Sequence, residues 1–284
     1  MLDRRSAPPA SGTVRDDTIL PMTRAVAAAV IPFLVAAFVI LYLRSSDTAQ
    51  RFAWEIKSPI TAAVMGAGYI GGAYFFARVL MERRWHRVAS GFPATGAFAA
   101  AMLVATILHW DTFDPAHLPF LVWLALYAVT PFLLPLVWWL NRRRDPGEPD
   151  PGDTTLPEVV GRFIFILGLL LLAEAVILFL LPAAAADRWP WPLPPLTARV
   201  LAAWQVLLAV GAMTLAGERR WSGWRIPLQA ILFWQALMLV AFVLRRDGFN
   251  APGLLNWFVL YTTAGVIAAA SLYAVMERRY RAGQ

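Results

Sequence analysis

The sequence predicts an all-α integral membrane protein, with eight transmembrane helices arranged as two parallel four-helix repeats. Three observations predict it. Of the 284 residues, 59% are hydrophobic and only 15% charged, where a soluble domain carries about a quarter charged residues. The apolar residues gather into eight runs, each near the roughly 20 residues that cross a hydrocarbon core about 30 Å thick. Finally, Glu82-Arg83-Arg84-Trp85 recurs as Glu218-Arg219-Arg220-Trp221, an offset of 136 (219 − 83), and that offset holds along much of the chain.

The eight runs cover 25–43, 60–80, 94–110, 118–140, 160–181, 198–216, 228–244 and 254–276. The first begins too late, and lacks a small-residue cleavage site, to read as a signal peptide. Residues 1–18 mix Pro, Ser, Arg and Asp and read as a disordered cytoplasmic tail. The first repeat then occupies 19–143 and the second 155–281. Between them, 144–154 is rich in Arg, Pro, Gly and Asp and reads as a mobile cytoplasmic linker.

Orientation follows from arginine. With the N-terminus inside, the cytoplasmic segments collect Arg83, Arg84, Arg142, Arg143, Arg219, Arg220, Arg278 and Arg279 among others, and the opposite side is poorer in cations. The positive-inside rule expects that split, in a cell inner membrane with both termini cytoplasmic. It also accounts for the net charge of +7 without nucleic acid as a partner, because the cations flank apolar runs. Membrane lipids are the expected partners, with anionic head groups at the cytoplasmic face and Trp and Tyr anchoring the interface. Cysteine is absent, which excludes disulfide frameworks and thiolate metal sites.

At the offset of 136, Leu20-Pro21 falls on Leu156-Pro157, Pro59-x-Thr61-Ala62 on Pro195-x-Thr197-Ala198, and Met102-Leu103-Val104-Ala105 on Met238-Leu239-Val240-Ala241. Asp111-x-Phe113 meets Asp247-x-Phe249, and Arg142-Arg143 meets Arg278-Arg279. Four helices per repeat is an even number, so both copies insert the same way round, related by an axis along the membrane normal as in parallel-repeat transporters.

Candidate sites are few. Gly66-x-Gly68-x-x-Gly71 has dinucleotide-motif spacing but lies inside a span, where small residues mean close helix packing. Glu174 stands inside the fifth run, where an unpaired carboxylate costs at least a few kcal/mol. It is expected to be protonated or paired, with Arg199 as the nearest cation and Gln205 and Tyr69 as hydrogen-bond partners. These four form the candidate ligand site. The loop 109–117 offers His109, Asp111, Asp114 and His117 as metal ligands. Asp114-Pro115 also resembles a helix N-cap followed by Pro at N1, and no metal or cofactor is assigned. Pro32, Pro131 and Pro135 are expected to kink their helices. The Trp- and Pro-rich segments 52–59 and 188–195 read as extended or re-entrant pieces at head-group level.

The strings Phe52-Ala-Trp54-x-Ile56-x-x-Pro59-x-Thr61-Ala62 and Trp189-Pro-Trp191-x-Leu193-x-Pro195-Leu-Thr-Ala-Arg199 resemble segments of uncharacterised bacterial multi-pass membrane proteins. That resemblance covers the lead-in to one helix of each repeat and implies class alone. No phosphate loop, zinc helix, nucleophile elbow or paired intramembrane histidines is present. The leading reading is a non-enzymatic protein that binds or moves a small apolar or weakly charged molecule between its repeats. The second is a structural or accessory subunit receiving partner helices, and the third a lipid-modifying enzyme at the Asp111/His109 loop.

Overall fold

A computed structural model describes residues 15–186, 189–246 and 252–283. Among them are eight helices long and apolar enough to cross a membrane and no strand, only isolated bridges at Thr18–Arg84 and Thr155–Arg220. The chain is an all-α multi-pass membrane protein.

The spans are α1 (Pro21–Phe38, extended by a π-helical turn Val39–Leu43), α2 (Pro59–Met81), α3 (Gly91–Leu108) and α4 (Leu118–Arg142). They continue as α5 (Glu158–Leu180), α6 (Pro195–Ala216), α7 (Trp221–Leu244) and α8 (Pro252–Ala282). Proline stands in the first turn of α1, α2, α4 and α6, where its missing N–H leaves no helical bond unmade and its fixed φ suits the helix. At α2 the Ser58 hydroxyl adds a cap by accepting from the Thr61 N–H at 3.4 Å.

Proline inside the spans does not divide them. Helical structure is continuous through Pro32, Pro131, Pro135 and Pro227. The predicted cap at Asp114 is displaced as well. Asp114 Oδ1 accepts from the Ala116 N–H at 2.8 Å within a turn, and α4 starts only at Leu118 after His117. The equivalent stretch before α8, including Asn250, lies outside the described residues.

Packing puts α2, α3, α6 and α7 at the centre. The first-half helix α2 packs on α7 of the second half, and α3 packs on α6. Outside this core α1 leans on α2, α4 on α3, α5 on α6 and α8 on α7. Accordingly α2 is the most enclosed span, while α5 and α8 leave most of their surface uncovered. In a bilayer that surface meets lipid, so bare Phe163, Leu170 and Leu260 are the normal outcome.

Glycine permits the closest approaches. A Cβ on Gly68 would stand 2.6 Å from the Trp204 ring, and one on Gly71 would stand 2.8 Å from the Trp234 Cβ. The spacing that mimics a nucleotide motif is therefore a packing stripe, with Gly68 and Gly71 against tryptophans of the other half and Gly66 against Tyr42 of its own. The segment 52–58 is irregular and buries Trp54. Trp191 is also buried and donates its indole N–H to Thr61 Oγ1 at 2.6 Å. These segments pin the helix starts that follow them.

Candidate functional site

At the arginine-rich end, four polar residues from distant parts of the chain meet between the halves. Asp17, the one non-glycine residue with positive φ (54°) among those described, accepts from the His86 backbone N–H at 3.0 Å and from His86 Nδ1 at 2.5 Å. His86 Nε2 and Ser222 Oγ share a hydrogen bond of 2.8 Å. The Ser222 hydroxyl donates to Asp153 Oδ2 at 2.5 Å, and its backbone N–H to Asp153 Oδ1 at 3.2 Å. Residues 86 and 222 stand 136 apart, as do 17 and 153. His86 and Ser222 are each 1% exposed.

Ion pairs surround this chain of bonds. Asp150 binds Arg84 and takes Arg87 Nη2 at 2.6 Å. Arg220 grips Asp145 through both terminal nitrogens at 2.8 Å and also holds Glu218. Burial works to raise the Asp145 carboxyl, but hydrogen bonds and charge from Arg220 outweigh it and hold the group below its ordinary value. Glu82 is held low in the same way by the Arg83 N–H and Arg87, against the pull of burial.

Two sequence expectations change here. Residues 15–18 of the expected disordered tail are ordered, because Asp17 is tied to His86, to the Arg144 carbonyl and to the Trp85 N–H. The linker 144–154 is a fastened strap, since Asp145, Asp150 and Asp153 each find a partner across it. The recurrent Glu-Arg-Arg-Trp string thus serves the protein's interior. Trp85 and Trp221 are buried rather than anchored among head groups. Exposed Arg83, Arg142, Arg143, Arg219, Arg278 and Arg279 remain at that face; Arg143 lies over Trp139, 4.0 Å from its ring centre.

The order Asp–His–Ser is that of an acyl-transfer triad, yet the hydroxyl is sealed and already donated to Asp153. No substrate carbon can reach it in this arrangement. Asp17, His86 and Asp150 also place ligand-type atoms within 4.8 Å of one another. Two guanidiniums occupy Asp150 and the imidazole occupies Asp17, so this set fits an ion-pair cluster better than a cation. The arrangement acts as a clasp on both halves.

Beyond the clasp, a cavity of about 110 Å³ lies between the halves, lined by parts of α2, α3, α4, α6 and α7. Its walls are almost wholly apolar. Trp204 packs among Tyr69, Phe98 and Trp234 at ring separations of 5.0, 4.4 and 5.2 Å. The Tyr69 and Tyr127 hydroxyls bond each other at 3.0 Å. Three of the residues around it carry a buried polar atom without a partner: Ser90 Oγ and the indole nitrogens of Trp204 and Trp234.

The residues singled out from sequence are dispersed. Tyr69 lines the cavity, and Gln205, next to Trp204, has a buried side-chain oxygen without a partner. Arg199 turns elsewhere, donating to the Phe179 carbonyl at 3.0 Å and to His109 Nε2 at 2.5 Å. Glu174 is exposed on α5, within electrostatic reach of Tyr261 on α8, and is not enclosed with Arg199. Nor do the loop ligands converge, since His109 goes to Arg199 and His117 donates to the Phe52 carbonyl at 3.0 Å. Burial first, then the adjacent Arg199, hold the His109 imidazole below its ordinary value.

Sequence reading missed Asp17, His86, Ser222, Trp204 and Trp234. A signal existed at the offset of 136, which pairs Asp17 with Asp153 just ahead of the first matched string. Comparison with protein families, curated proteins and solved structures finds no match to this chain, so the functional reading rests on its own geometry.

Proposed function

We propose that this chain is a bacterial inner-membrane protein, built as two parallel four-helix repeats with cytoplasmic termini, that binds or moves a small, largely apolar molecule between its halves. One observation carries the reading: an apolar cavity walled by α2 and α3 from one half and α6 and α7 from the other. Sites at the junction of two halves are where parallel-repeat carriers hold their cargo. Helix bounds that recur at the same offset support the duplication, since α3 ends at Leu108 and α7 at Leu244, and α2 begins at Pro59 and α6 at Pro195. The arginine distribution supports the orientation, and the resemblance of segments 52–62 and 189–199 to bacterial multi-pass proteins supports the class.

Native mass spectrometry of the protein in lipid discs tests it. A small molecule retained after lipid is stripped supports binding. A stripped chain without cargo that also fails to take up apolar probes counts against it. The accessory-subunit reading is favoured by one separate observation, Glu174 exposed on the sparsely packed α5. A co-purifying membrane protein lost in Glu174→Gln would select that reading.

A further inference from the structure

We propose that the cavity takes its ligand directly from the bilayer, through a groove between α1 and α4, and that the Tyr69–Tyr127 pair is the door between groove and cavity. This rests on the cavity reading above and adds the route and the class of molecule that travels it, uncharged and apolar, dissolved in the membrane. The groove holds about 260 Å³ and opens near Arg51 and Leu118, at the end of the spans away from the clasp. It exists because α1 leans on α2 and α4 on α3, while α1 and α4 scarcely touch each other. Phe33, Leu118 and Val122 on its walls are exposed, and in a bilayer such surface meets lipid. From Leu118 to Tyr127 the wall formed by α4 descends about 13 Å at 1.5 Å per residue, which carries the groove toward the middle of that helix.

At its deep end the groove shares a wall with the cavity, since Tyr69, Leu126 and Tyr127 line both. The Tyr127 ring lies 4.3 Å from Trp123 of the groove and 6.0 Å from Phe98 of the cavity. The Tyr69 ring meets Trp204 of the cavity at 5.0 Å. One tyrosine comes from α2 and the other from α4, and a single neutral hydrogen bond of 3.0 Å joins them, a bond of modest net strength. At the offset of 136 their counterparts are Gln205 and Thr263, so the latch belongs to the first half. Charge selects what passes. Among the described residues, Arg51 is the one charged group on the groove walls, half-exposed and paired with Asp47 at 3.6 Å, and the cavity beyond has none. An ion would lose its hydration there without a counter-charge, whereas an apolar molecule is already concentrated in the lipid outside.

The chain has no cysteine, so one added thiol reports on one place. Ala99→Cys on the cavity wall, with Ala94→Cys as a second reporter, is treated in lipid discs with N-cyclohexylmaleimide, an uncharged apolar reagent. Leu170→Cys, exposed on α5, controls for thiol reactivity in lipid. The expected result is that the reagent labels the cavity thiol. Val122→Trp or Ala36→Trp, each filling the groove from an exposed wall position, should slow that labelling about tenfold, because a ring in the path must be forced from its packing. Tyr127→Phe should speed it about fivefold, as loss of one neutral hydrogen bond implies, and labelling at Leu170→Cys should be unchanged in every background. Plugs without effect, or a charged water-soluble maleimide that labels the cavity thiol as fast, overturn the route and leave the cavity reading standing. A cavity thiol that stays unlabelled in folded protein while Leu170→Cys reacts removes both. The plugs stand at exposed positions, so the comparison decides the matter even if Tyr127→Phe fails to fold.

Discussion

Asp17 shows how one residue's backbone can serve a whole junction. A non-glycine residue at φ 54° is tolerated best when it is Asp or Asn, whose short side chains suit the left-handed region. Here that conformation lets one carboxylate reach both the backbone N–H and Nδ1 of His86. Asp17→Ala should therefore cost about 2–4 kcal/mol, because two buried donors lose their acceptor and the strain stays. Asp17→Asn keeps one acceptor oxygen and the backbone preference and should cost clearly less. Thermal unfolding in detergent checks this, and equal losses for the two variants would sink it. Gly68 is the other sensitive position. Trp204 is boxed by Tyr69, Phe98 and Trp234 and cannot recoil from a new Cβ, so Gly68→Ala should cost about 1–3 kcal/mol and alter tryptophan emission. Gly68 could be read from the sequence, since small residues inside a span have one common meaning. His86 and Ser222 could not. Their bond joins two different residue types 136 positions apart, and a search for identities passes over such a pair.

Among the connecting elements, composition predicted the absence of helix but not the presence of order. Pro, Gly and Asp in 144–154 do prevent a helix. Asp145 and Asp150 then meet arginines of opposite halves and Asp153 meets Ser222, and composition cannot foresee that pairing. The Asp145–Arg220 pair gives the strap a defined pH response. With Asp145 held below its ordinary value of 3.8, the folded state binds this proton less readily than the unfolded one. Its stabilisation is complete above about pH 4 and is lost as pH falls through the lowered value. Asp145→Asn should mimic that loss at neutral pH, costing about 1–2 kcal/mol for a partly buried pair. Limited proteolysis within the strap should rise correspondingly, and an unchanged cleavage rate would count against the pair as a fastening.

The contact from the end of α3 to α6 titrates in a different range. Burial, and then Arg199, keep His109 below its ordinary 6.5, so the unfolded chain binds the proton first as pH falls. Stability from this site is flat above about pH 6.5 and declines below it. His109→Gln keeps an acceptor for Arg199 and should flatten the unfolding midpoint between about pH 7 and pH 5, leaving the acid loss at Asp145 in place. Glu174 belongs to this scale too. The cost of an intramembrane carboxylate correctly drew notice to it, but helical phase put it on the outer face of α5, away from Arg199.

For the whole molecule, eight spans were legible because each repeats the same physical demand, about 20 apolar residues with charge at the ends. Which helices touch across the halves was not legible, because every span offers apolar surface and hydropathy does not rank partners. The observed pairing, α2 on α7 and α3 on α6, depends on specific shapes such as Gly68 against Trp204 and Gly71 against Trp234. Each half therefore presents a face whose fit lies in the other half. Gly147, with φ 79° and no heavy atom within 4 Å of where a Cβ would stand, is a tolerant place to divide the chain. A cut after it leaves Asp145 with the first half to meet Arg220, and Asp150 and Asp153 with the second to meet Arg84 and Ser222. Residues 1–147 and 148–284 expressed together should co-purify as one complex through a tag on either piece. Each piece expressed alone should aggregate or be degraded, since its apolar stripe lacks a partner, as do its members of the pairs His86–Ser222, Asp145–Arg220 and Arg84–Asp150 that cross the cut. Replacing Gly68 and Gly71 with Leu in the first piece should abolish co-purification while leaving membrane insertion intact, because insertion depends on hydropathy and assembly on shape. Separate halves that are each stable and monodisperse would show that the contacts between them do not hold the fold together.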